Sequence, residues 1–177
     1  MLTIFYIVAV ILIIGMGYVY IRAVNKVNKA DLAARDAGSD IDTCLWDMTH
    51  NLGIIVKALK EKGIEPEMPE DQSVLLTIGM TSASQQLVVK NAEERMQIVR
   101  PAAEEAGITG EEAVSKALTK YDNAKNELVG AGLKYNKMVS QFNSTISRFP
   151  ASLIASHKSK GPKMIFVYQP GGVDANK

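Results

Sequence analysis

Six residues spaced seven apart, Val114, Tyr121, Leu128, Tyr135, Phe142 and Phe149, constrain the fold of this chain more than any other feature. An apolar position recurring every seventh residue commits one face of a helix to burial. A second row, Ala117, Leu118, Ala124, Ala131, Met138, Val139 and Ile146, widens the stripe into the broad face of a bundle helix. A helix over residues 111–149 would be roughly 58 Å long. It cannot bury its stripe alone, so partner helices of similar length are required.

The chain supplies them in order. Residues 2–21 contain no charged side chain and are rich in Ile, Val, Leu, Phe and Tyr, a length and composition that cross a ~30 Å hydrocarbon core. We read them as a transmembrane helix in contact with the lipid bilayer. A cleaved leader would need a basic start and a shorter apolar core. Arg22, Lys26, Lys29 and Arg35 follow the span, with only the α-amino group before it. The positive-inside rule then puts the N-terminus outside and the rest of the chain in the cytoplasm.

Val27, Ala34, Ile41, Met48 and Ile55 continue a helical stripe, flanked by Ala30, Ala37 and Cys44 and widened by Leu45, Leu52 and Leu59. No proline separates this stripe from the span, so one helix is expected to pass from lipid into the bundle as far as Lys62. Gly63, Pro66 and Pro69 end it. Apolar residues then recur at helical steps from Leu75 and Ile78 to Ala106, weakly over Thr77, Gly79, Thr81, Ser82 and Ser84, with Pro101 predicting a kink or short extra turn. Residues 107–110 form a turn.

The fold class expected is all-α: an N-terminal transmembrane helix continuing into an up-and-down bundle of three long helices, with room for a short fourth. The domains are the span (2–21), the bundle (22–155), and a region of basic connector, apolar strip (164–168) and flexible tail (156–177). An unbroken middle segment gives three helices with the first and last parallel; a break gives four. The basic region from Arg148 to Lys163 belongs near an anionic leaflet, which favours four. The continuous register favours three, the version adopted here.

The C-terminal pattern Tyr135-Asn136, Val139, Phe142-Asn143, Ile146 and Phe149-Pro150, followed by Ile154-Ala155, resembles the signature of the LemA family. Ala37, Ser39-Asp40-Ile41-Asp42, Leu45 and Leu52 resemble that family's first-helix pattern, and the apolar anchor sits where the family has one. The resemblance covers both end helices. The middle departs from it, with Gly53 where the family's first helix has a proline. It implies a single-pass bacterial membrane protein with a helical bundle, in a family whose molecular role is not established and which is not known as an enzyme.

The residues point the same way. Charge is balanced, with 20 basic and 19 acidic side chains scattered among one another, so no nucleic-acid partner is expected. His50 and His157 stand apart from any metal-ligand spacing, and no phosphate-binding glycine loop or nucleophile elbow is present. Cys44 lies on the apolar stripe as a packed thiol. Asp40 and Asp42 are two apart and do not share a helix face, so they read as a solvated edge. No catalytic residue, cofactor or metal is expected.

Asn136 and Asn143, seven apart beside the aromatic stripe, are expected to bond across to the first helix near Ser39 or Asp40 and fix its register. The aromatic residues are expected in the core.

Two functional readings remain open at this level. One is a scaffold or adaptor that recruits or organises proteins at the bacterial inner membrane, its protein partners unnamed and homo-oligomerisation open. The other is a lipid- or small-molecule-responsive sensor, or a hydrolase, with a site between helices near residues 77–84.

Overall fold

A computed structural model describes residues 1–71, 76 and 79–168. The described residues form four helices and no strand: α1 (Leu2–Glu61), α2 (Ser82–Glu105), α3 (Glu112–Ile146) and α4 (Ala151–His157), followed by an extended run over 161–168. The class is all-α, with three long helices and a short fourth. Leu75, Thr77, Ile78 and the tail from 169 onward lie outside the described residues.

Residues divide into two compact units, one of Met1–Arg35 with Lys137–Met164, the other of Asp36–Asn136 with the strip from Ile165. In the second unit the core is the predicted stripe of α1, with Ile41, Leu45, Met48, Leu52, Ile55 and Leu59 buried. Against it lie Val88, Val89, Ala92, Met96 and Val99 of α2 and Val114, Tyr121 and Leu128 of α3. The Tyr121 hydroxyl donates to the Ala92 carbonyl (3.1 Å), which keeps a buried phenol satisfied.

Two helices end in the same way, and glycine is the reason. After α1, Gly63 takes φ +78°, its N–H bonds the Lys60 carbonyl, and the Ile64 N–H bonds the Leu59 carbonyl. After α2, Gly107 takes φ +68° and the Gly107 and Ile108 amides repeat those bonds to Glu104 and Ala103. This is the Schellman arrangement, which satisfies carbonyls that the helix leaves unpaired.

Three expectations about the bundle need correcting. Helix α2 begins at Ser82, because Thr81 caps it by accepting the Ser84 amide (3.2 Å). Pro101 lies inside α2, with no separate extra turn; the short fourth helix is α4. The first and last long helices run antiparallel. Lys62 pairs with Glu111 (2.9 Å), Gly38 packs on Tyr135, and Asp40 pairs with Lys134 (2.6 Å), so numbers rise along α1 as they fall along α3.

The cause is the connection between α1 and α2. Gln85, at the start of α2, reaches Gly38 and Asp42, so α2 runs parallel to α1. The returning connection is tied to the side of α2: Asn91 donates to the Glu70 carbonyl (2.8 Å) and Arg95 pairs with Asp71 (2.6 Å).

In the first unit, Ala23 and Val27 of α1 form a small buried cluster with Ala151 and Ile154 of α4, with Val24 and Ile146 packed against it. Residues 3–21 of α1 are exposed along their whole length. The basic region from Arg148 to Lys163 thus joins the beginning of α1's buried stripe, without a fourth long helix.

Candidate functional site: a terminal strip held by two asparagines

The motif residues of α3 converge on the extended C-terminal run. In the second unit, Asn136 makes two bonds to one residue: its Nδ2 donates to the Phe166 carbonyl and its Oδ1 accepts the Phe166 N–H, both at 2.7 Å. In the first unit, Asn143 does the same to Lys163, with both bonds at 2.9 Å. A side-chain amide offers one donor and one acceptor, the complement of one residue's backbone.

These partners correct the expectation that the two amides reach the first helix. The missed signal was that a side-chain amide matches the donor and acceptor of a single backbone residue. Ser39 makes no side-chain bond to either asparagine; its carbonyl accepts from Thr43 (3.0 Å).

From Ile165 to Tyr168 burial alternates residue by residue. Phe166 is buried and Tyr168 half-buried, while Ile165 and Val167 are exposed. Phe166 rests on Gly132, where a Cβ would lie 3.0 Å from the ring. The Tyr168 hydroxyl donates to Glu93 Oε1 (2.9 Å), and Glu93 also pairs with Lys125 (2.8 Å). Burial and the Glu93 charge push the Tyr168 phenol well above its ordinary pKa.

A polar cluster lies beneath the strip in the second unit. Ser82 Oγ donates to the Ile165 carbonyl (2.9 Å) and Tyr135 bonds Ser82. Gln85 Nε2 donates to Asp42 Oδ1 (2.7 Å), and the Gly79 backbone also bonds Asp42. Asp42 is therefore not a solvated edge residue. Burial raises its carboxyl pKa, against the lowering effect of those two bonds. The Ser82 and Gln85 side chains, central to the expected interhelical cavity, are both buried here and bonded within the protein. Asp40 is exposed and ion-paired with Lys134, and Ile41 is fully buried beside it in sequence.

In the first unit, Asp31 is the hub. Its carboxylate meets Lys160 (2.6 Å), Lys163 (3.1 Å) and Arg35 (3.4 Å). Burial works to raise its pKa, but the bonds and charges of Lys160 and Lys163 outweigh it and hold the carboxyl below the usual range. Lys163 also lies 5.3 Å from the centre of the buried Phe142 ring, a cation–π distance. Val139 is buried and Ile146 half-buried.

Phe149 departs from its heptad. It is 80% exposed, because α3 stops at Ile146 and Pro150 disfavours helical geometry in the residue before it. The Phe149–Pro150 peptide bond is cis. Phe149 and Pro150 line a groove with Leu12, Met16 and Tyr20 of α1 and Leu153 of α4.

His50 stacks on exposed Trp46, ring centres 4.8 Å apart, and His157 borders that groove. Cys44 is buried, and desolvation with nearby carboxylates pushes its thiol up to about 11. Among the described residues no three His, Cys, Asp or Glu side chains converge to hold a metal ion. Comparison with known protein families, characterised proteins and solved structures returned no match.

Proposed function

We propose that this chain is a non-enzymatic, membrane-anchored helical scaffold similar to the LemA family, which recruits or organises proteins at the bacterial inner membrane. Its N-terminus lies outside and its body in the cytoplasm. One observation carries the reading: α1 is a single helix whose residues 3–21 carry no charge and are exposed, and whose later residues form the core of a folded unit. More than a dozen large apolar side chains between Ile4 and Ile21 stand open. Burying each would gain about 1.5–3 kcal/mol, so leaving them all in water is untenable. Mean hydropathy in this window reaches 2.5, within the range of a membrane span.

The scaffold part rests on what the bundle leaves uncovered. Ile165 and Val167 alternate outwards from the held strip, giving an apolar edge for a partner chain. Cross-linking of tagged full-length protein in membranes tests this, with a control carrying only residues 1–29. Capture of specific proteins by the full chain, lost in the control, supports a scaffold. Self-capture alone removes it.

A further inference from the structure

We infer that the first unit carries a binding site for one anionic glycerophospholipid, between α1 and the α4 region. The inference rests on the reading that residues 2–21 cross a bilayer. The groove of about 860 Å³ described above is lined on one side by Ile11 to Tyr20 of α1 and on the other by Phe149 to His157, almost wholly with apolar side chains. That volume lies within the range of small-molecule sites. Leu153 and Phe149 remain 62% and 80% exposed, with no protein cover.

A second cavity of about 290 Å³ borders it, with Val19, Phe149 and Pro150 lining both. Its charged lining has one sign, Arg22, Lys26 and Arg148, with no carboxylate. Elsewhere in the unit, Lys160, Lys163 and Arg35 are taken up by Asp31; among the described residues Arg22, Lys26 and Arg148 have no acidic partner. Arg22 meets only the Tyr18 hydroxyl, at 3.5 Å.

An apolar slot along a membrane span, with a cluster of three unpaired cations beside the span's end, matches one molecule in both halves. Acyl chains occupy the slot and the phosphate meets the cations. Arginine suits the phosphate because its fork donates to two oxygens together. A free phosphate would leave the slot empty, and a zwitterionic lipid such as phosphatidylcholine would bring its own quaternary ammonium beside the three cations. The single carboxylate-free cluster in this cavity thus selects charge, while the slot selects the lipid.

Native mass spectrometry of the full chain released from detergent is the test, with added phosphatidylglycerol or phosphatidylcholine of identical acyl chains. One retained phosphatidylglycerol is expected, with phosphatidylcholine held more weakly. Arg148→Gln and Lys26→Gln should each reduce the preference by about fivefold, the effect of one cation close to an anionic lipid surface. Gly15→Leu, at a position with no side chain within 4 Å of a new Cβ, should block both lipids without disturbing the fold. Equal retention of both lipids, or adducts indifferent to all three substitutions, overturns the site while leaving the anchor standing. Release of the wild-type chain from membranes by alkaline wash overturns the anchor, and the site with it.

Discussion

Asn136 and Asn143 hold the terminal strip by two bonds each, and their loss has a size that can be stated. Removing one amide leaves a half-buried backbone N–H and carbonyl without their partners, a cost of about 1–3 kcal/mol. Asn143→Ala and Asn136→Ala are expected to lower the thermal midpoint and speed amide exchange at Lys163 or Phe166 respectively, read by hydrogen exchange. An unchanged midpoint together with a lost partner would move these residues from structure to recognition. Asp31 makes a second prediction. Its folded pKa lies below the ordinary 3.8, so its contribution to stability is present above that value and is lost as pH falls through the lower, folded one. Asp42 has the opposite sign: its pKa is raised, so protonation first favours the folded state as pH falls. Acid unfolding of Asp31→Asn should therefore lose the steep final limb below about pH 4, where the wild type retains it. At neutral pH the variant should be about 2 kcal/mol less stable, the scale of a charged hydrogen bond.

Helix ends supply the clearest element-scale test, because three of them share one geometry with different residues. Gly63 and Gly107 adopt positive φ at no steric cost, but the same turn after α4 is made by Ser159 at φ +51°, with Ser159 and Lys160 amides bonding the Ser156 and Ala155 carbonyls. A side chain in that region costs about 1–2 kcal/mol. Ser159→Gly is expected to raise stability by about 1 kcal/mol, once glycine's greater unfolded freedom is deducted, and chemical denaturation with unchanged slope would show it. Gly132→Ala tests the strip from the other side. Its Cβ would press on Phe166 at 3.0 Å, and a destabilisation of about 1–3 kcal/mol is expected from overpacking. How far sequence carries such elements depends on the physics of each. The stripe from Val114 to Phe142 was legible because helical burial repeats at fixed intervals, and every member is buried. Phe149 broke the register for a local reason, the following proline. The direction of α3 was not legible, because it depends on whether the residues between α1 and α2 turn at once or travel back. A fully extended chain covers about 3.3 Å per residue against about 1.5 Å in a helix, so a linker needs fewer than half as many residues as the helix it travels back along. The asparagine partners were hidden for a related reason: a strip with no periodicity of its own gives no sign of where it docks.

At the scale of the whole chain, the question is whether the apolar first third of α1 belongs to the fold or to its surroundings. Burial decides it by position. No residue from Thr3 to Arg22 is buried, whereas Ala23 and Val27 are 6% and 0% exposed and begin the packed stripe. A chain beginning at residue 22 therefore keeps the Asp31 hub, the two asparagine clamps, and the cores around Ile41 and Leu128. It loses the wall of the groove beside the exposed Phe149 and Leu153 and the buried Ile154. The expected outcome is a protein recovered in the supernatant, where the full chain sediments with membranes. Its far-ultraviolet circular dichroism should retain helical minima. Its thermal midpoint should fall within about 4 °C of the full chain's in the same detergent, the shift produced by about 1 kcal/mol in a domain of this size. A larger fall would mean that residues 2–21 support the bundle directly, and that their exposure understates their part in folding. Sedimentation of the shortened chain with membranes would assign the attachment to Phe149 and Leu153 instead, since they are the exposed apolar side chains nearest the missing span.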